Sequence, residues 1–409
     1  MRNANRSIIA FAGALILIAS TAFAQDWPQW RGPNRDGKAA GFTAPQSWPK
    51  TLASKWKVTV GQGDSTPALV ADKLYVFTRQ DADEVTLCLN AADGKEIWKD
   101  KYPAPPFQGP DARAHLGPRS SPTVADGKIL TLGVLGVLSC LDANTGKPLW
   151  RNDKYTAVPR FHTSMSPIIA DGLAIAHLGG ENNGALVAFD LTTGTEKWKW
   201  TAEGPHYASP ALMTLDGAKS IVTLTAKSAV ALALADGKLL WQVPFAPQGM
   251  SYNAATPIID GQTVIITGAG RGTKALKIEK QGDTFSAKEL WANPQLATQF
   301  NSPILKDGFL FGLSNTNNLY CIDAATGKTA WTNPDKSGAQ GFGAIVDAGS
   351  VLFALPNNSE LVAFKPDAKA YAEVAKIKVA DSQTYTHPII AGNRIFVKDQ
   401  QSLAMLTIE

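Results

Sequence analysis

Four of the five histidines, His115, His162, His206 and His387, stand close to a short dipeptide that recurs along the chain, Ser/Thr-Pro or its equivalent. Asp64, Arg119, Tyr207, Tyr252, Asn253, Gln299, Asn301 and Tyr385 share that placement, as does Arg160. Imidazoles can move protons or ligate metals, a carboxylate can act as a base, guanidinium groups hold anions, and amides and phenols orient polar ligands. If the segments that carry them meet in space, they form one polar pocket with several chemistries open to it. No H-x-x-x-H or H-x-H spacing points to a metal, and none is expected. Glu181-Asn182-Asn183 carries oxygen ligands but reads as a solvated turn. Gly268 to Lys274 lacks the order of a phosphate loop, and no G-x-S-x-G nucleophile elbow is present. No compact catalytic constellation is visible.

The elements that must position these residues form a repeat. Each unit opens with Ser/Thr-Pro and an apolar run, passes an Asp-Gly or Gly turn and a second run, and continues through Leu-x-Ala/Cys-Leu-Asp to a Gly turn and a Trp. Such units open at Thr66, Ser121, Ser166, Ser209, Thr256, Ser302 and His387, with a degenerate one near Gly343 to Val379. The 344 residues from Thr66 give eight units of 43, a period that suits a four-stranded β-propeller blade. The runs are 5–8 residues long and rich in Val, Ile and Leu, with Gly, Asp and Asn between them. The last unit is short by one strand, and residues 52–60, with Trp56, match the Trp-bearing end of a unit. We expect an all-β, eight-bladed propeller of antiparallel four-stranded blades over 52–409, closed by pairing the N-terminal strand with the C-terminal blade. The Ser/Thr-Pro loops then converge at one mouth of the central channel.

Seven of the eleven Trp mark blade ends (56, 98, 150, 198, 241, 291 and 331), which reads as packing between blades. Cys88, Cys140 and Cys321 occupy one position in three different blades and so are buried fillers rather than a disulfide. Residues 1–24 read as a cleavable signal: Arg2 and Arg6, an apolar run from Ile8 to Ile18, and Ala22-Phe23-Ala24 before Gln25. No Cys follows for a lipid anchor and no other segment suits a membrane span, so a periplasmic or secreted chain is expected. Arg2 and Arg6 account for two of the four net positive charges; no basic run remains, so nucleic acid is not an expected partner. Residues 25–51 are a leader whose Trp27, Trp30, Arg31 and Arg35 are expected to strap the propeller, the arginines meeting blade-edge carboxylates.

Leu141 to Trp150 (LDANTGKPLW) and Ile322 to Trp331 (IDAATGKTAW) resemble the repeat of pyrroloquinoline-quinone (PQQ)-like β-propellers, and residues 26–37 resemble the start of an exported bacterial group of them. That resemblance implies two functions. One is a non-catalytic scaffold such as the outer-membrane assembly protein BamB, with no resident cofactor and an envelope protein or small-molecule ligand at the channel mouth. The other is a quinoprotein oxidoreductase holding PQQ with Ca²⁺ and using an Asp as base on an alcohol, for which Asp64 or Asp111 would serve. Such enzymes are usually longer, and many carry adjacent cysteines, which this chain lacks. A third reading, polysaccharide hydrolysis or lysis by the mouth His and Tyr, rests on the polar mouth alone. The absence of a compact catalytic constellation favours the first.

Overall fold

The structure is a computed structural model, and it describes residues 26–107, 115–282 and 284–408. The signal segment 1–24 and Asp111 lie outside those residues. Among the described residues every regular element is a strand, and the strands form eight antiparallel four-stranded sheets in a ring. Blades 1 to 7 comprise residues 68–103, 123–152, 168–200, 211–244, 258–293, 304–336 and 343–378. Blade 8 takes three strands from the C-terminus (Ile389–Ala391, Arg394–Lys398, Ser402–Thr407) and its outer strand from Ala53–Thr59. The expected ring closure is therefore present, in a register that sets Ala53 opposite Thr407 and Thr59 opposite Ser402.

Burial follows from the ring. The second and third strands of a blade are covered on both faces by neighbouring blades, so they are buried along nearly their whole length and read as mostly apolar runs, as Leu173–Leu178 and Ala185–Asp190 do. Outer strands meet water on one face and alternate, as Glu96–Pro103 does. The repeat motif has a physical account at each step. In blade 2, Asp142 Oδ1 accepts the Thr145 N–H (2.8 Å), the Thr145 hydroxyl (2.8 Å) and the Asn144 N–H (3.0 Å), a side-chain-closed turn that delivers the chain to Gly146.

That Gly lies against the Trp of the preceding blade. Gly237 has a φ of +72°, and a Cβ there would stand 2.5 Å from Trp198 Cε3. The indole N–H then crosses the blade boundary: Trp56 to the Ala91 carbonyl (3.1 Å), Trp150 to Leu191 (3.0 Å), Trp198 to Leu234 (3.0 Å), Trp291 to Ala324 (2.8 Å) and Trp331 to Asp367 (2.8 Å). Cys88, Cys140 and Cys321 are free, buried, and paired in register with Trp98, Trp150 and Trp331. Blade 7 has no Trp of its own. There the leader supplies Phe42 and Trp48, whose rings meet Phe353 edge-on at 5.2 and 5.9 Å.

Candidate functional site

The Ser/Thr-Pro dipeptides form a hoop around the channel. Four of the hydroxyls accept a backbone N–H from the preceding blade: Ser121 N–H to Ser166 Oγ, Ser166 N–H to Ser209 Oγ, Thr256 N–H to Ser302 Oγ, and His387 N–H to Thr66 Oγ1, all at 2.9 Å. Proline suits this position because the innermost strand has a free edge toward the axis. The proline carbonyls are thereby left facing the channel.

The leader fills that channel. Trp27 is buried and exchanges both backbone hydrogen bonds with Leu69 of blade 1 (2.8 and 2.9 Å), the Pro28 carbonyl accepts the Val124 N–H of blade 2, and the Ala39 N–H reaches the Asp347 carbonyl of blade 7. Trp30 donates to Thr256 Oγ1 of blade 5 (2.8 Å) and meets the His387 ring of blade 8 edge-on at 4.6 Å. Arg31 donates to the Pro303 carbonyl of blade 6 (2.8 Å). Arg35 donates to the carbonyls of Ser166 and Pro167 in blade 3 and of Pro210 in blade 4. All eight blades touch this segment. The arginines thus meet backbone carbonyls on the axis, not the blade-edge carboxylates expected of the strap. A planar five-donor fork satisfies a circle of carbonyls as readily as a carboxylate pair.

Above the plug lies the mouth. Seven half-buried rings, one from the loop before each of blades 2 to 8, touch in sequence. His115 meets Tyr385 (4.8 Å between centroids), Tyr385 meets Phe342 (5.1 Å), and Phe342 stacks on Phe300 (4.3 Å). Phe300 stacks on Tyr252 (6.0 Å), Tyr252 meets Tyr207 (5.7 Å), and Tyr207 meets Phe161 (6.4 Å). Arg119 closes the circle by donating to the carbonyls of His115 and Phe161. The His115 Nδ1 pairs with Asp64 Oδ2 at 2.6 Å. Beside this pair a cavity of about 290 Å³ is lined by Gln62, Gly63, Asp64, His115, Leu116, Gln400 and Gln401.

The candidate residues divide accordingly. Asp64, His115, Arg119, Tyr207, Tyr252 and Tyr385 reach the ring. His206 lies beneath it, its Nδ1 accepting the Asn253 N–H (2.7 Å), with burial and the Arg271 charge lowering its pKa to about 4. Asn253 and Asn301 turn inward and tie loops, each donating its amide to two carbonyls, and Gln299 is buried. His162 is buried under Phe107 (3.9 Å), and Arg160 lies over Phe161 at 5.4 Å. His387 is the floor, not the mouth, and burial pushes its pKa down to about 3. Phe161, Phe300 and Phe342 escape a search for polar chemistry, which passes over the aromatics of the same loops.

A quinone held through calcium needs several carboxylate oxygens converging on one ion. Asp64 brings a carboxylate to the ring, but His115 holds one of its oxygens. Among the described residues no three His, Cys, Asp or Glu side chains are grouped to hold a metal. The 181–183 turn is self-contained, Glu181 Oε1 accepting the Arg160 N–H and Asn183 Oδ1 the Gly180 N–H. The described residues do not fit that cofactor.

A family profile described as outer membrane protein assembly factor BamB matches residues 82–333, more than half of the chain. A protein of that description from Burkholderia pseudomallei is 24% identical over 355 residues, covering 84% of this chain and 85% of that one. The crystal structure of BamB from Moraxella catarrhalis superposes with a TM-score of 0.66 at 14% identity, over 88% of this chain and 100% of that one. Quinohemoprotein alcohol dehydrogenase from Comamonas testosteroni does so with a TM-score of 0.69 at 15% identity, over 95% of this chain and 81% of that one. At such identities the structural likeness speaks for the fold, which both kinds of protein share.

Proposed function

We propose a function from one premise: the chain belongs to the family described as outer membrane protein assembly factor BamB. On this reading it is a non-catalytic binding or scaffold propeller of the cell envelope, exported to the periplasm or beyond, and an envelope protein docks on the channel mouth. The observation that carries the reading is the run of seven half-buried rings, closed into a circle by Arg119, above a channel filled by the chain's own leader. A closed floor gives no through-path, so the mouth is a surface to be covered. Rigid aromatic anchors are the side chains that dominate protein interfaces when covered.

Capture from envelope extract tests this. Wild type is expected to retain a partner that the combined Tyr252→Ala, Phe300→Ala and Phe342→Ala variant binds at least about a hundredfold more weakly. Equal capture by both would overturn the reading. The alternative, a PQQ-dependent oxidoreductase, shares only the fold with the alcohol dehydrogenase. Titration with PQQ and Ca²⁺, followed by an alcohol assay with an artificial electron acceptor, separates the two. Saturable quinone binding with turnover would replace the scaffold reading.

A further inference from the structure

Arg31 and Arg35 are both almost fully withdrawn from water on the propeller axis. Burial lowers their pKa values to about 10 and about 9, so both stay cationic near neutrality. Every acceptor they meet is neutral. Arg31 donates to the carbonyls of Arg35, Asp36 and Pro303. Arg35 donates to Gln29 Oε1, Thr123 Oγ1 and the carbonyls of Ser166, Pro167 and Pro210. Two positive charges thus share a dry axis; only the Asp36 carboxylate acts on one of them, Arg31, without hydrogen-bonding to it, and such burial is disfavoured unless further countercharge is close.

A second observation locates the deficit. Arg31 Nη1 is buried and has no hydrogen-bond partner among the described residues, and the same holds for both ring nitrogens of His387. Trp30, adjacent to Arg31 in the chain, packs edge-on against His387, and the imidazole feels the Arg31 charge. A neutral imidazole always carries one N–H. At least two N–H donors therefore stand on the axis without an acceptor, and a histidine with both nitrogens orphaned is rare in a native interior. A water molecule would accept from one or both donors but would leave Arg31 compensated by the Asp36 charge alone and Arg35 by none. An acceptor carrying negative charge answers both deficits, and the full enclosure limits it to a small ion.

We propose that the axis holds a small monovalent anion of the chloride type between the Arg31 guanidinium and the His387 imidazole, and that this ion fastens the leader into the channel. It bridges the leader to blade 8, whereas Arg35 secures the leader to blades 3 and 4. The site is separate from the mouth ring and stands or falls independently of any docking partner.

Two measurements on the unaltered protein test it. Crystals grown in bromide, with data collected above the bromine edge, are expected to show an anomalous peak within hydrogen-bond reach of Arg31 Nη1. Hydrogen exchange of the backbone amides between Trp30 and Gly37 is compared in chloride and in gluconate at equal ionic strength. Roughly tenfold slower exchange is expected when chloride exceeds its dissociation constant about tenfold. A peak of water height with no anomalous signal overturns the proposal, and so do equal exchange rates in the two salts.

Discussion

The rim and the axis of this propeller are built on opposite rules. At the rim one device recurs: an indole N–H donated across the blade boundary, with a left-handed Gly beneath the ring. Each copy is modest, and the ring gains by repetition. At the axis nothing recurs once the hoop of hydroxyls has been laid. A single segment breaks the eightfold pattern, taking strand-like pairing from blade 1, carbonyls from blades 3, 4 and 6, a hydroxyl from blade 5 and an aromatic edge from blade 8. The repeated residues of such a chain therefore report its scaffold. The residues that depart from the repeat report what is particular to this molecule.

Arg35→Met strands several buried carbonyls at once, and each unpaired acceptor costs about 1–3 kcal/mol before relaxation. We expect a loss of about 4 kcal/mol in urea unfolding, beyond any single rim substitution. A smaller loss than at the rim would reverse the ranking of the two regions.

Two Gly→Ala substitutions, one in an inner hairpin and one under a rim Trp, separate backbone strain from packing. Gly127 has a φ of +68°, and a Cβ there would meet nothing within 4 Å, whereas Gly237 has a φ of +72° and faces Trp198 at 2.5 Å. Gly127→Ala is expected to cost about 1 kcal/mol, the left-handed penalty alone. Gly237→Ala is expected to cost about 3 kcal/mol, because overpacking adds to it. Equal melting points for the two variants would show that the Trp–Gly contact adds nothing.

A finer cut uses an exception within the rim itself. Trp98 has a buried indole N–H with no partner, while the equivalent carbonyl, Ala143, accepts the Tyr75 hydroxyl (3.2 Å). Trp150→Phe is therefore expected to cost about 1 kcal/mol more than Trp98→Phe, the worth of one hydrogen bond. Denaturant midpoints for the two variants, at unchanged slope, measure that difference.

The smallest effect at neutrality lies in pH. Burial lowers His177 to about 4, His206 to about 4 and His387 to about 3, against an ordinary value near 6.5. The folded state binds fewer protons than the unfolded chain, so stability present above pH 6.5 is lost as pH falls from 6.5 toward those values. His177→Gln, in blade 3, and a His206 replacement should each flatten that acid loss while changing little at pH 8. A pH–stability profile unchanged by either would show that these imidazoles are not the groups being forced to charge.

The scaffold was legible because repetition multiplies weak signals. Eight approximate copies of one turn, one Trp and one Ser/Thr-Pro pair identify the blade, its period and the closure by residues 52–60, where any single copy would be ambiguous. The expectation that Cys88, Cys140 and Cys321 stay apart rests on the same logic. The axis was not legible for the converse reason. The leader occurs once, and an arginine in sequence carries no mark that distinguishes a carbonyl partner from a carboxylate. Asn253 and Asn301 are equally mute, since an amide in a loop can serve a ligand or its own backbone, and here both serve backbone. The aromatic circle could have been found by noting that Phe161, Phe300 and Phe342 stand in the same loops as the polar candidates.

The pairing of Ala53–Thr59 with Ser402–Thr407 has a kinetic side. The first strand of the ring waits for the last, so the final blade cannot assemble until the whole chain is available. The leader's bonds span comparable distances, Arg31 to Pro303 and Trp30 to Thr256 among them. Such pairings are slow to find, because a long loop must close before they return any energy. The blades can therefore form locally and early, while the ring locks late and in one cooperative step, and a chain interrupted before residue 402 stays open.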